Sequence, residues 1–79
     1  MAPKGEGNLL KIGELARLAE VLPSTIHYYT KEGLLNFVEE TKGGYRLYHR
    51  QQSLRRLETI RKYQKRYRLT VEEIKRKLK

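Results

Sequence analysis

A chain of 79 residues holds one modest hydrophobic core, and without cysteine it has no disulfide framework, no thiolate nucleophile and no cysteine-type zinc site. Eighteen Lys and Arg against nine Asp and Glu give a formal charge of +9, a field that favours polyanionic partners, nucleic acid first and anionic membrane second. No apolar run approaches the roughly 20 residues of a membrane span and no signal-peptide core opens the chain, so a soluble, cytoplasmic protein is expected.

The charge is unevenly divided. Met1 to Tyr45 carries five basic and six acidic residues, whereas Arg46 to Lys79 carries thirteen basic and three acidic ones. The second half therefore builds the cationic surface.

The opening residues, with Pro3, Gly5 and Gly7 and no apolar periodicity, predict a flexible arm over 1–10 ahead of one domain over 11–79. Ile12, Leu15, Ala16 and Ala19 recur at helical spacing and predict a first helix to about Glu20, with Glu14 and Arg17 on its polar side. Pro23 suits the first turn of a second helix, where its missing N–H costs nothing, and Gly33 ends that helix. Ile26 and Tyr29 form its apolar pair. Two short helices joined by a tight turn make a helix-turn-helix.

Leu34 and Leu35 read as a buried plug. Two β-prone runs around Gly43-Gly44 then predict a hairpin, a wing directly after the helix pair. Its second run alternates, with Tyr45 and Leu47 on one face, expected to be the core side, and Arg46 and Tyr48 on the other, expected to be outward. From about Arg50, Leu54, Leu57, Ile60, Tyr63 and Tyr67 stripe a third helix, with His49 as its cap. Thr70 to Glu73 is a capping box, after which Val71, Ile74 and Leu78 stripe a last helix. The predicted fold is mainly α with a small β-hairpin: a winged helix-turn-helix followed by a second helix pair.

The blocks Lys11-Ile12-Gly13-Glu14-Leu15-Ala16, Ser24-Thr25-Ile26-His27-Tyr28-Tyr29, Glu32-Gly33-Leu34-Leu35, Gly44-Tyr45-Arg46-Leu47-Tyr48 and Leu69-Thr70-Val71-Glu72-Glu73-Ile74 stand in order without a shift of spacing. Together they resemble the DNA-binding domain of the MerR family of bacterial transcription regulators. The resemblance implies that the helix from Ser24 to Glu32 enters the major groove of double-stranded DNA while the hairpin lies against the neighbouring backbone or minor groove. Four positions depart from the family pattern: His27 stands where arginine is usual, Thr30 where an acid is usual, and Glu20 and Arg68 where glycine is usual. Family members usually continue into a long coiled-coil helix and an effector-binding region. Because every apolar stripe is needed for the core and none is left over for a partner, a monomer is expected of these 79 residues, and a homodimer only if such a helix follows.

The residues themselves agree with that reading. Ser24, Thr25, His27, Tyr28 and Lys31 offer short donors, a ring and a cation on the outer face of the second helix. Arg46 and Tyr48 on the wing, with Lys42 near its turn, suit phosphate or a narrow minor groove. Arg17, Lys65, Arg66 and Arg68 complete the expected DNA-binding set, the last three in a run with almost no balancing acid. Whether Tyr28 packs or contacts DNA is open at this level.

An enzyme is excluded for want of parts: no nucleophile beside a base, no phosphate loop, too little chain to enclose a pocket. No cofactor and no metal site are expected, since His27 and His49 lack companion ligands. Adsorption to a membrane would need an apolar face that the core already claims. RNA readers expose aromatics on a broader sheet. The remaining alternative to a regulator domain is a small excisionase-like or architectural DNA binder.

Overall fold

The computed structural model describes residues 8–78. Its elements in chain order are β1 (Leu9–Lys11), α1 (Ile12–Ala19), α2 (Pro23–Lys31), β2 (Glu39–Glu40), β3 (Arg46–His49), α3 (Arg50–Arg66) and α4 (Val71–Lys77). This is the mainly helical winged helix-turn-helix with a second helix pair that the periodicities predict.

The sheet has one strand more than the predicted hairpin. Its order is β1-β3-β2, all antiparallel, with Leu10 opposite Tyr48, Lys11 opposite Leu47 and Glu40 opposite Arg46. The first seven residues of the expected arm lie outside the described residues. Leu9 and Leu10, also assigned to that arm, are instead half-buried in β1. Three residues are too few to display a period of two, so the strand left no pattern to find.

With β1 and β2 on its two sides, β3 is the central strand, and its inward face is the reverse of the expected one. Tyr48 is wholly buried, whereas Tyr45 is 59% exposed. The alternation was read correctly and the sign was not. Leu10, which pairs with Tyr48 from β1, packs against the core and fixes that sign. Tyr45 immediately precedes β3 and accepts from the Thr41 N–H at 2.7 Å across the hairpin, so the alternation extends to it and turns its ring outward.

The core joins Leu15 and Ala16 of α1, Ile26 and Tyr29 of α2, the Leu34-Leu35 plug, Tyr48, Leu57 and Ile60 of α3, and Ile74 of α4. Burying a side chain such as Leu or Ile stabilises by about 1.5–3 kcal/mol, so this one cluster holds every helix in place. Leu18, Leu22 and Val38, which belong to none of the predicted stripes, stay exposed. Tyr67, placed in the stripe of α3, is also exposed; its ring lies against that of half-buried Tyr63.

The caps explain where the helices stop. At the end of α2, Gly33 (φ +82°) turns left-handed, its N–H reaches Thr30 O at 3.1 Å and the N–H of Leu34 reaches Tyr29 O at 2.8 Å. The end of α1 repeats this geometry one for one, with Glu20 N–H on Arg17 O at 3.3 Å and Val21 N–H on Ala16 O at 3.0 Å. There, however, the left-handed residue is Glu20 (φ 59°), and beyond α3 it is Arg68 (φ 54°). His49 Nδ1 accepts from Gln52 N at 3.2 Å and caps α3. At α4, Thr70 Oγ1 accepts from Glu73 N at 3.2 Å while Glu73 Oε1 accepts from Thr70 N at 2.8 Å.

A side chain in the left-handed region costs roughly 1–2 kcal/mol, and glycine returns part of that gain through its freer unfolded chain. Glu20→Gly and Arg68→Gly are each expected to stabilise by about 0.5–1 kcal/mol and to raise the melting temperature by a few degrees. Thermal melts followed by circular dichroism check this; a lowered midpoint would show that those side chains make compensating contacts.

The hydrogen bonds from Thr70 hold the Glu73 carboxyl below its usual pKa of 4.5. The stabilisation is therefore present above that value and is lost as pH falls through the lower folded one. Acid titration of the melting temperature should show a decline below about pH 4.5 that is shallower in Glu73→Gln, which has no charge to lose.

Candidate nucleic-acid interface

Ser24, His27, Tyr28 and Lys31 are all exposed, and their spacing of three, four and seven places them in one stripe along α2. Ile26 and Tyr29 are buried on the opposite side. Thr25 is half-buried and flanks the stripe. Tyr28 is 45% exposed, with its ring centroid 5.9 Å from that of Tyr29. One side of its ring thus packs while the hydroxyl end remains available. No side chain caps the first turn of α2, where Pro23 has no N–H and the Thr25 N–H donates to Leu22 O at 2.9 Å.

The wing carries two cations, each held over an aromatic ring, on opposite faces of the sheet. On the inward face Arg46 stacks its guanidinium 4.8 Å from the Phe37 centroid, and Phe37 meets buried Tyr48 edge-on at 6.5 Å. On the outward face Lys11 Nζ lies 5.1 Å from the Tyr45 centroid. The Tyr45 ring also closes over the turn, since a β-carbon added at Gly43 would come within 3.3 Å of it. Lys42 is exposed beside that turn.

Tyr48 is therefore removed from the expected DNA-binding set. Its ring is at 0% exposure and its hydroxyl lies 2.8 Å from Thr30 Oγ1 inside the domain, so no ligand reaches it. Two residues that sequence reasoning left out, Tyr45 and Lys11, take the exposed place on the wing. The signal for Tyr45 was its position beside Gly43-Gly44, beyond the packed part of the strand; Lys11 gave none until β1 was known.

The second helix pair is tied to α2 at two points. Tyr29 donates its hydroxyl proton to Gln64 Oε1 at 3.2 Å, which anchors the last turn of α3, where Lys65 and Arg66 are exposed. Lys75 Nζ on α4 meets Glu32 Oε1 at 3.3 Å and Glu72 Oε2 at 3.6 Å. Those carboxylates raise the Lys75 pKa above its usual value. Arg61 reaches from α3 to the carbonyl of Ala19 at 3.3 Å, next to the left-handed Glu20. Arg17 on α1 and Arg68 after α3 are exposed. Among the described residues no hydrogen bond or ion pair joins Arg17, Lys65, Arg66 or Arg68 directly to the α2 stripe or to the wing.

Residues 10–79 match the pattern that defines the MerR HTH family of regulatory proteins. The chain belongs to the MerR family. It is 47% identical over 53 residues to the HTH-type transcriptional regulator ZntR of Escherichia coli, an alignment covering 67% of this chain and 37% of that protein. It is 45% identical over 51 residues to the nodulation protein NolA of Bradyrhizobium elkanii, covering 65% of this chain and 23% of the other. The crystal structure of a MerR-family transcriptional regulator from Bacillus cereus superposes with a TM-score of 0.75 at 30% identity, over 89% of this chain and 51% of that one. The 79 residues thus span well under half the length of these curated relatives. MerR proteins are transcription regulators and not enzymes.

Within the MerR fold, three of the four departures from the family pattern acquire a physical meaning. Glu20 and Arg68 hold the left-handed positions for which glycine is suited. Thr30 uses its hydroxyl internally, donating to Ile26 O at 2.8 Å. Among the described residues no three His, Asp or Glu side chains cluster as metal ligands, and no helix is long and apolar enough to cross a membrane.

Nitration by tetranitromethane tests the assignment of the tyrosines. Tyr28, Tyr45 and Tyr67 are expected to react readily and Tyr48 to resist, as read by peptide mass spectrometry. Early nitration of Tyr48 would reverse the orientation of β3.

Proposed function

We propose that this domain, taken as residues 11–79 with the first residues as an arm, reads double-stranded DNA in a sequence-dependent way as the DNA-binding part of a cytoplasmic MerR-type regulator. The observation that carries the proposal is the single exposed stripe of Ser24, His27, Tyr28 and Lys31 on a helix whose other side is core. Such a stripe sets hydroxyls, an imidazole and an ammonium along one line, the arrangement that base edges and phosphates of a major groove require. MerR homology supports the same use.

The wing supplies position instead of sequence. Arg46, half-exposed on Phe37, forks a phosphate or enters a narrow minor groove, and Lys42 adds a point charge. Tyr45, with Lys11 against its ring, offers an apolar surface and a hydroxyl to the sugar-phosphate backbone. Arg17, Thr25, Lys65, Arg66 and Arg68 extend the contact along the backbone, where the excess of positive charge in the second half draws the duplex in.

Two variants separate positioning from reading. Arg46→Ala is expected to weaken every duplex by a similar factor and to make the plot of log K against log salt shallower by about one unit. Tyr28→Phe should leave that slope unchanged while altering the ranking of duplexes chosen from a randomised pool. Fluorescence anisotropy with mixed-sequence and pool-selected duplexes measures both. A parent chain with a flat salt response would overturn the reading, as would one that cannot tell the two duplex classes apart.

A further inference from the structure

Thr30 is the one residue of α2 that hydrogen-bonds to the sheet among the described residues. Its Oγ1 lies 2.8 Å from Ile26 O and 2.8 Å from the Tyr48 hydroxyl oxygen. A threonine hydroxyl has a single proton, and the Ile26 carbonyl can only accept, so that proton goes to Ile26. The Tyr48 hydroxyl must then donate to Thr30. The result is a directed chain from the central strand, through one side chain, to the backbone of α2 in the turn that carries His27 and Tyr28 on its outer side.

Every member of this chain is held. Tyr48 is at 0% exposure, paired across β1 with Leu10 and against the edge of Phe37, the ring on which Arg46 stacks. We propose that the Thr30 and Tyr48 hydroxyls are positioning groups that fix the register of the wing against α2, so that Arg46 on a phosphate and the α2 stripe on base edges engage one duplex together. The proposal rests on the DNA-reading function proposed above. It adds a coupling between two contact surfaces that sit on different elements and, among the described residues, share no other hydrogen bond.

The chemistry makes the two deletions unequal. Tyr48→Phe removes a donor and leaves Thr30 still bonded to Ile26. Thr30→Val leaves a buried phenol without a partner, the costlier defect. Neither change touches an exposed side chain, so a purely structural role would lower the melting temperature and leave the ranking of duplexes intact.

The test uses the 79-residue chain with Tyr48→Phe, Thr30→Val, Thr30→Ser and the double variant Tyr48→Phe/Thr30→Val. Binding is measured well below each melting temperature. Each single deletion should weaken binding to a pool-selected duplex by about five-fold, the order expected of one hydrogen bond, and to a mixed-sequence duplex by less than about two-fold. The double variant should be no weaker than the worse single one, and Thr30→Ser should bind as the parent does. In the absence of DNA, amide NMR shifts should cross between elements: Tyr48→Phe should perturb Ile26 to Lys31, and Thr30→Val should perturb Arg46 to Tyr48. Shifts confined to the mutated element, additive losses, or equal losses on both duplexes would overturn the coupling. A parent that shows no preference among duplexes defeats the DNA reading instead, and the NMR arm then decides the coupling alone.

Discussion

A helix of nine residues does not stand by itself in water. Isolated helices shorter than about 12–15 residues are marginal, and α2 is shorter than that and carries an exposed polar stripe along its length. Its position is therefore borrowed from its surroundings. Ile26 and Tyr29 supply the burial, and three neighbouring residues at its C-terminal end are tied outward in three directions. Tyr29 bonds to α3, Thr30 to β3 and Glu32 to α4. The first turn has no side-chain cap and closes on its own backbone, the Thr25 N–H reaching Leu22 O at 2.9 Å. A helix tied in three directions at its C-terminal end presents its outward groups from a fixed base, which is what the proposed groove reading needs.

The same constraint gives the second helix pair a purpose beyond its charge. Without α3 and α4, Tyr29 and Glu32 lose their partners and the core loses Leu57, Ile60 and Ile74. The cationic second half of the chain is thus also the scaffold of the nearly neutral first half. Its basic side chains sit on the polar faces of helices whose apolar faces are already spent inside, so the positive field is carried on rigid elements. Self-repulsion among those charges is offset only in part: Lys75 has Glu32 and Glu72, and the acids of the second half number three.

Most of the helical architecture was legible from spacing. The stripes of α1 and α4, the proline opening α2, the glycine closing it and the Thr70 capping box each follow from local rules, and the structure has them all. The sheet was legible only in half. Alternation in β3 is visible in the sequence, but alternation does not say which face is inward; that depends on β1, three residues from a different part of the chain. This is why Tyr48 was read as a contact and Tyr45 as core. Exposure of the α2 stripe was foreseen because helical periodicity carries its own sign: the side opposite Ile26 and Tyr29 must face out. The bond between Thr30 and Tyr48 joins residues 18 apart with no local signature, and only the fold brings them together.

The two cation–ring pairs of the wing follow from that same alternation. In a central strand, successive side chains leave on opposite faces, so Arg46 and the outward-facing Tyr45 cannot serve the same surface. Each is matched with a partner from its own side: Phe37 beneath Arg46, and Lys11, brought by β1, against Tyr45. Long basic side chains carry about 2 kcal/mol of rotamer entropy, part of which is lost whenever they settle on a phosphate. On the proposed DNA-binding reading, a ring that already holds the cation removes part of that loss beforehand, at the modest strength of a half-exposed cation–π contact. The short β1 strand thus does more than close the sheet: it delivers a second held cation to a wing whose own strands supply one.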